Sequence, residues 1–244
     1  MGQCLSSATV PIMKEHFEEA IEDALATQEQ QAGNENSSPQ HRPQGGRHDK
    51  SAALYASLPS DAEKHEVRNV YDGDTFTLTN EKRVRLLGID TPEIKEQQPF
   101  AQEAKAYTKD RCNKREVHLS FEPGSEREDH YGRLLCYVWV SADNGKHLCI
   151  NEGIVEAGLA RAYTPGKGKE PHNWEKLVRL QSNARKQRLG LWSDFHDHNV
   201  YKTANGAAYH KRSCKHLARI RNLKELRVSE ALDIGLHPCR TCME

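Results

Sequence analysis

Residues 83–93 read RVRLLGIDTPE, and this stretch decides the fold. Its first half alternates, so that Val84 and Leu86 fall on one face of a strand and Arg85 falls on the other. If the aliphatic pair fills a core, Arg85 emerges near the following loop, which carries Asp90 and Glu93. The stretch therefore predicts a buried strand that brings a cation to two carboxylates.

Working outward, five short alternating or apolar runs bounded by turn residues predict five strands. They lie at 66–70, 76–78, 83–87, 117–121 and 134–140. Apolar residues at spacings of three and four predict helices at 100–112, 149–159 and 173–188. Helices inserted after the third and fifth strands indicate an α+β fold with a small mixed barrel rather than a doubly wound sheet.

The chain of 244 residues is long enough for one domain of about 130 to 150 residues with extensions, or for two small domains. No run approaches the roughly eighteen apolar residues of a membrane-spanning helix. The 35 basic and 35 acidic residues are unevenly distributed: residues 1–50 carry 4 basic and 8 acidic side chains, and residues 199–244 carry 9 and 4. A polyanion should favour the C-terminal end, although a solvated basic surface is the alternative.

The N-terminus, MGQCLS, matches the pattern for myristoylation of Gly2, with Cys4 available for palmitoylation. Two acyl chains would hold the protein on the cytoplasmic face of a membrane, the plasma membrane, if the source is eukaryotic. The alternative is an unmodified Met-Gly start, which is common, and a cytoplasmic protein.

The rest of the first 50 residues predicts a leader. Apolar residues recur every fourth position over 13–30 and indicate an amphipathic helix with an acidic polar face. Residues 32–50 are polar and lack that periodicity, which is typical of a flexible tether. The predicted organisation is therefore a leader at 1–50, a folded domain at 51–198 and a second module at 199–244.

Two acidic motifs and two arginines form the candidate site: DGDT at 72–75, DTPE at 90–93, Arg85, and Arg133 within DHYGR. The first motif alone is an ordinary hairpin turn and the second a capped helix start. Together they favour metal-assisted cleavage of a phosphodiester. Carboxylate oxygens suit calcium or magnesium, a spare carboxylate can align water, and guanidiniums can bind phosphate in forked pairs.

The segment from about Val67 to Trp192 resembles the staphylococcal nuclease family. The resemblance is carried by YDGDT at 71–75, VRLLGIDTPE at 84–93, DHYGR at 129–133, EAGLA at 156–160 and GLW at 190–192. It implies an OB-like five-stranded barrel with three helices. It also implies a calcium-dependent endonuclease that acts on DNA and RNA and leaves 3′-phosphate ends. We expect a monomer.

By this resemblance, three residues would hold calcium: Asp74 and Asp90 through carboxylates, and Thr91 through its backbone carbonyl. The loop after Glu93, residues 94–99, is shorter than the long lysine-rich loop of the best-known bacterial member. Residues 163–167 match the family's second nucleotide-contacting region only loosely, so Tyr163 is not included in the site.

The resemblance also implies the catalytic and substrate-binding roles. Glu93 would align or deprotonate the attacking water, and Arg85 and Arg133 would bind the scissile phosphate and stabilise its extra charge. Tyr131 would contact a nucleotide phosphate.

The C-terminal segment contains a second candidate metal site. His210 and Cys214 are three residues apart, as His-x₃-Cys, and Cys239 and Cys242 form Cys-x₂-Cys, a set suited to tetrahedral zinc. A module of about 40 residues has too small a core to be stable without such a staple. Unconnected thiols or a redox motif are the alternatives.

This tail resembles the small zinc-binding module of the bacterial Ada alkylation-repair protein. That module uses four cysteines, whereas His210 takes one position here, with His216 as a substitute ligand. We therefore expect DNA binding or structural stabilisation rather than methyl transfer. The remaining Cys112, Cys136 and Cys149 are predicted to be core thiols.

Three functions remain open from the sequence. The first is a nuclease, the second is a non-catalytic nucleic-acid binder on the same barrel, and the third is a DNA-damage sensor centred on the zinc module. Non-catalytic relatives usually lack several of the metal or arginine positions. All of these positions are filled here, which favours the nuclease.

Overall fold

The computed structural model describes residues 51–166 and 168–243, except for the side chain of Asn144. The predicted leader helix, the tether and the lipid acceptors Gly2 and Cys4 lie outside the described residues. All described residues belong to one compact unit, Gly46–Glu244. None of the helices in these ranges has the length and apolar character needed to cross a membrane.

The described ranges contain thirteen strands and four α-helices. The strands are β1 Leu54–Tyr55, β2 Glu63–Val70, β3 Thr75–Leu78, β4 Arg83–Leu86, β5 Ile89–Asp90, β6 Glu116–Phe121, β7 Leu134–Ser141, β8 His147–Cys149, β9 Arg161–Ala162, β10 Asn199–Thr203, β11 Ala208–Tyr209, β12 Leu223–Arg227 and β13 His237–Pro238. The helices are α1 Ala101–Cys112, α2 Ile150–Glu156, α3 Trp174–Lys186 and α4 Val228–Asp233.

Five strands close a barrel in the order β7-β4-β3-β2-β6, and β6 pairs with β7 again to complete the ring. The β4–β7 pair is parallel, and the other barrel pairs are antiparallel. These are the five strands that the sequence predicts. The closed mixed barrel with helices α1 to α3 confirms the predicted OB-like α+β fold.

The barrel core is filled by the inward residues of the alternating strands. Val67, Phe76, Val84 and Leu119 are fully buried there. Helix α2 contributes Ile150 and Ile154 to the same core, and α1 contributes Ala104. Since both helices pack onto the barrel, the loops that precede them are held against its rim.

Close packing at Gly73 joins two of these loops. A Cβ at Gly73 would lie 2.7 Å from Cγ2 of Thr91 and 2.8 Å from Cβ of Ala104. The Thr108 hydroxyl in α1 donates to the Gly73 carbonyl at 2.5 Å. Helix α1 therefore fixes the turn between β2 and β3 against the loop that follows β5.

The C-terminal segment forms two small sheets and helix α4. Strands β10 and β12 are antiparallel, and β11 and β13 are parallel. Val200 and Leu226 from these strands share one hydrophobic cluster with Ala184 of α3 and with Trp192. Arg185 of α3 also donates to the Asp233 carboxylate at 3.0 Å. The module therefore packs directly on the end of α3.

The three predicted core thiols are buried. Cys112, Cys136 and Cys149 have no exposed surface, and burial raises the pKa of all three, that of Cys112 to about 12. They are neutral residues of the core, as the sequence predicts.

Helix α2 is shorter than the predicted 149–159. Cys149 belongs to β8, which pairs with β7, and the helix ends at Glu156 before Gly158. Gly158 has a φ of 74°, and a Cβ there would lie 2.4 Å from the Leu189 carbonyl oxygen. The Gly158 carbonyl in turn accepts from the Leu191 amide at 2.9 Å. The backbone at the end of α2 therefore packs directly against the backbone of the segment after α3.

We expect Gly158→Ala to lower the free energy of unfolding by about 3 kcal/mol, because it combines a left-handed backbone with a clash against fixed backbone. The matched control is Gly124→Ala, since Gly124 has a φ of 72° with open space around its Cβ position. The control should lose only about 1 kcal/mol. Urea unfolding measures both, and equal losses would contradict the close approach at Gly158.

Candidate active site

Arg85 lies between two carboxylates at the rim of the barrel. Its Nη1 is 2.5 Å from Oδ2 of Asp74, and its Nη2 donates to Oδ1 of Asp90 at 2.9 Å. The neighbouring residues Val84 and Leu86 point into the core and are buried. The alternation of β4 thus places Arg85 where the sequence predicts, beside the turn that carries Asp90.

Asp74 is the most enclosed carboxylate of this group. It is only 5% exposed, and its Oδ2 accepts from both the amide and the hydroxyl of Thr91 at 2.8 Å. Its Oδ1 accepts from the Thr75 hydroxyl at 3.0 Å. These contacts fix the Asp74 carboxylate, and they bring Thr91 into the same site.

Charge is crowded in this small volume. Burial lowers the pKa of Arg85, but the charges of Asp74, Asp90, Asp72 and Glu93 outweigh it, and the net shift is upward. Partial burial raises the pKa of Asp90 against the opposing effect of Arg85. Arg85 therefore stays positively charged, and the carboxylates around it repel one another.

Glu93 belongs to the same electrostatic group. Partial burial raises the pKa of its carboxyl, and the negative charges of Asp74 and Asp90 raise it further. The Glu93 amide donates to Oε1 of Gln98 at 2.9 Å, so the backbone is held while the side chain is exposed. Glu93 is thus a carboxylate at the open side of the site.

Arg133 and Tyr131 lie on a tight turn in front of β7. Asp129 holds this turn, because its Oδ1 accepts from the amides of Tyr131 and Arg133 at 2.9 and 3.0 Å. Its Oδ2 accepts from Nε of Arg133 at 2.7 Å. Burial raises the pKa of Asp129, but these hydrogen bonds outweigh it and lower the pKa overall. Tyr131 is 71% exposed.

Strand register relates this turn to the carboxylates. In the parallel β4–β7 pair, Arg85 lies opposite Leu135, and Arg133 lies in the turn two residues before Leu135. Arg85, Asp74, Asp90 and Thr91 are joined by direct contacts, and Glu93 is their electrostatic neighbour. The guanidinium of Arg133 instead contacts Asp129.

Two residues of this site are absent from the roles assigned by sequence. The Asp72 carboxylate accepts from the Asp74 amide at 3.2 Å, and burial together with the charge of Asp74 raises its pKa to about 6. Arg161 in β9 pairs in register with Asp90 and favours the charged form of that carboxyl. Asp72 is visible in the DGDT motif, whereas Arg161 is distant in sequence and no motif marks it.

The donor set fits a hard divalent cation. The carboxylates of Asp74 and Asp90 both contact the Arg85 guanidinium, and the Asp72 carboxylate lies beside them, where it accepts from the Asp74 amide. Burial first, and then the charge of Asp74, raises the pKa of Asp72, and the charge of Arg85 offsets this only in part. Oxygen ligands and excess negative charge are what calcium requires.

A second cluster lies in the C-terminal module. The ligand atoms of His210, Cys214, Cys239 and Cys242 all lie within 4.8 Å of one another, and the Cys214 and Cys239 sulfurs are 4.0 Å apart. Parallel pairing of β11 with β13 and the bond from the Cys239 amide to the Tyr209 carbonyl bring the two motifs together. Zn–S bonds of about 2.3 Å place tetrahedral ligands about 3.8 Å apart, so this set is close to the spacing of a zinc site.

Local electrostatics differ among the four residues of this cluster: burial and the neighbouring Cys214 and Cys239 raise the pKa of Cys242 to about 11, whereas the pKa values of His210 and Cys239 are lowered. Partial burial and the neighbours His216 and His237 lower the pKa of His210. Burial raises the pKa of Cys239, but hydrogen bonds from Thr241 and Cys242 outweigh it and lower the pKa. The Lys211 amide points at the Cys242 sulfur at 3.4 Å. His216 bonds Thr241 instead of joining the four.

Comparison with known proteins places the barrel in a family. The pattern of the staphylococcal nuclease homologue family matches residues 83–194. The chain is 32% identical over 139 residues to a thermonuclease of Staphylococcus hyicus, an alignment that covers 53% of this chain and 76% of the relative. It is 36% identical over 151 residues to a micrococcal nuclease of Shigella flexneri, covering 58% and 80%.

A third relative is a prophage-derived endonuclease of Bacillus subtilis, YokF. It is 33% identical over 142 residues, which covers 55% of this chain and 44% of the relative.

We expect Asp72→Asn to change how stability depends on pH in calcium-free buffer. A folded-state pKa of about 6 lies above the ordinary 3.8, so the folded state retains a proton that the unfolded state has lost, and stability falls as pH rises from about 4 to 6. The variant lacks this loss. The difference in unfolding free energy, variant minus wild type, should increase by about 1 to 3 kcal/mol between pH 4 and pH 7.

Urea unfolding at several pH values measures this difference. Asp110→Asn, at an exposed position of α1, is the matched control and should give a difference that is constant with pH. A constant difference for Asp72→Asn as well would show that burial and the charge of Asp74 do not raise the pKa of the Asp72 carboxyl in the folded state.

Proposed function

This chain belongs to the staphylococcal nuclease family, and from that premise we propose that it is a calcium-dependent endonuclease acting on DNA and RNA. The proposal includes hydrolysis that leaves 3′-phosphate ends. Its main support is the contact of Arg85 with both Asp74 and Asp90, with Glu93 close enough for those charges to raise its pKa. Relatives named thermonuclease and micrococcal nuclease add to this support.

The proposed roles follow from the chemistry of each group. Glu93, at the open side of the site, aligns the attacking water and accepts its proton. Arg85 and Arg133 donate to the phosphate oxygens and stabilise the charge that develops in the transition state. The water oxygen adds to phosphorus, the bond from phosphorus to the 5′-oxygen breaks, and that oxygen leaves with a proton. The products are a 3′-phosphate and a 5′-hydroxyl.

Calcium, when bound, would neutralise the carboxylates and polarise the phosphate. Asp74, Asp90 and the Thr91 carbonyl are the proposed ligands, and Asp72 is well placed to add a carboxylate near them. With those carboxylates neutralised, Arg85 would be available to donate its forked N–H groups to phosphate. Tyr131, largely exposed beside Arg133, is the proposed contact to a neighbouring nucleotide phosphate.

A non-catalytic binder is the rival function for the same barrel. A binder needs cationic contacts to phosphate but has no need for a carboxylate beside a cluster of other carboxylates. Glu93 is such a carboxylate, and its proximity to Asp74 and Asp90 is unfavourable unless a cation or a proton is present. That arrangement favours the nuclease over the binder.

Two further proposals concern the ends of the chain. We propose that Gly2 is myristoylated and Cys4 palmitoylated in a eukaryotic source, which would hold the enzyme on the cytoplasmic face of the plasma membrane. We also propose that His210, Cys214, Cys239 and Cys242 bind a structural zinc ion. Their convergence from two separate motifs supports this site.

We expect Glu93→Gln and Arg133→Ala each to lower kcat on DNA and RNA by about 10²- to 10³-fold, because each removes a group that acts on the reacting phosphate or water. The matched control is Arg127→Ala, since Arg127 is an exposed arginine on the same loop whose guanidinium pairs with Glu63 and lies over the Phe121 ring. Digestion of labelled single- and double-stranded substrates with calcium, with magnesium and with a calcium chelator measures the activity. Full activity in chelator, or near-normal turnover of both variants, would contradict the proposal.

We expect purified protein to contain one equivalent of zinc, which Cys239→Ser with Cys242→Ser should remove. Such a loss should also destabilise the module, because its own apolar core is small. The matched control is Cys112→Ala, which alters a buried thiol of the barrel and should retain the zinc. Elemental analysis after gel filtration measures the metal, and a folded module without metal would contradict the site.

A further inference from the structure

The cluster of His210, Cys214, Cys239 and Cys242 anchors an unusually basic stretch of chain. Residues 198–224 include seven lysines and arginines and no aspartate or glutamate. Five of the seven lie in residues 211–221, here named the basic turn segment. Its basic residues are Lys211, Arg212, Lys215, Arg219 and Arg221.

The basic turn segment is ordered by consecutive turns, which include a short 3₁₀ helix at Lys215–Leu217. The amides of Cys214, Leu217 and Ile220 donate to carbonyls three residues earlier at 3.0, 2.9 and 3.0 Å. Cys214 and Leu217 are buried, whereas all five basic residues are exposed. The segment therefore holds its two apolar anchors inside and its cationic side chains outside.

These cations have no acidic partners within the described part of the chain. Several exposed cations on the barrel do: Arg68 pairs with Glu81, Lys82 with Glu128 and Arg127 with Glu63. None of the five basic residues of the segment makes an ion pair with a described carboxylate.

The adjoining ribbon adds to this excess of positive charge. Lys202 in β10 lies directly opposite Lys224 in β12, where like charges are unfavourable. The module thus keeps cations close together without balancing them, and an external polyanion would relieve that repulsion.

The basic turn segment is also tied structurally to the candidate active site. Arg161 pairs in register with Asp90, and its guanidinium lies 5.9 Å from the ring centroid of Trp192. Trp192 shares a hydrophobic cluster with Tyr209, the residue before the ligand His210. This continuous packing connects the carboxylate site to the base of the segment.

We propose that the basic turn segment is a second nucleic-acid-binding surface, which contacts backbone phosphates away from the bond that is cleaved. The inference rests on the proposed nuclease function for the identity of its ligand. Lysine and arginine contacts to phosphate are independent of base sequence and depend strongly on salt. The segment would therefore increase affinity for long DNA and RNA without selecting a sequence.

The test is Arg212→Glu with Arg219→Glu and Arg221→Glu, made in full-length protein that also carries Glu93→Gln to prevent cleavage. The matched control is Lys109→Glu with Lys114→Glu and Arg115→Glu, three exposed cations at the end of α1. Fluorescence anisotropy measures binding to 30-nucleotide single- and double-stranded DNA over a range of salt. We expect the segment variant to bind at least tenfold more weakly. The slope of log Kd against log salt should decrease by about 2 for single strands and about 3 for duplex.

Zinc content and thermal melting, measured on both variants, identify a variant that has lost its fold, and Arg219→Gln with Arg221→Gln then replaces it as the milder change. An unchanged salt slope in a folded, zinc-loaded variant, or an equal loss in the control, would overturn the inference. Loss of binding to anionic lipid vesicles with DNA binding intact would likewise overturn it and assign the surface to membrane. Cleavage of a dinucleotide by the segment variant with Glu93 restored reports the nuclease function separately.

Discussion

The contact between Arg85 and Asp74 is the interaction on which the candidate site depends. The barrel core fixes β4 through its buried residues Val84 and Leu86, and strand alternation then directs the Arg85 guanidinium to the opposite face, toward Asp74. Asp74 is itself fixed by Thr91, whose loop packs on Gly73. A buried ion pair of this kind contributes little net stability, and removal of one partner is costly, by about 3 to 5 kcal/mol. A catalytic role therefore accounts for this buried ion pair better than a contribution to the stability of the fold does.

The sequence predicts the barrel well because its signals are local. The alternation around Val84 and Leu86 is a short-range pattern, and the five strands and three helices follow from similar patterns. The ends of elements are less predictable: Cys149 belongs to a strand because β8 pairs with β7, a contact that no local pattern contains. The short strand β1 is unpredictable for the same reason, since it exists only through its pairing with β8.

The residues of the candidate site likewise divide into those that local sequence patterns predict and those that long-range strand pairing brings in. Asp74, Arg85 and Asp90 can be placed together from sequence, because one strand and its flanking turns carry them. Arg161 cannot, since it reaches Asp90 through the long-range pairing of β5 with β9. The roles of Arg133 and Tyr131 remain predictions that rest on the family. In the structure their turn is held by Asp129.

The central claim is that the carboxylates around Arg85 form a calcium site. Isothermal titration of calcium into the wild-type protein and into Asp74→Asn with Asp90→Asn tests it most directly. The account predicts one calcium ion per wild-type chain, with an affinity that falls at least 100-fold in the double variant. Equal calcium binding by both proteins, or no binding by the folded wild type in the presence of substrate analogue, would contradict it.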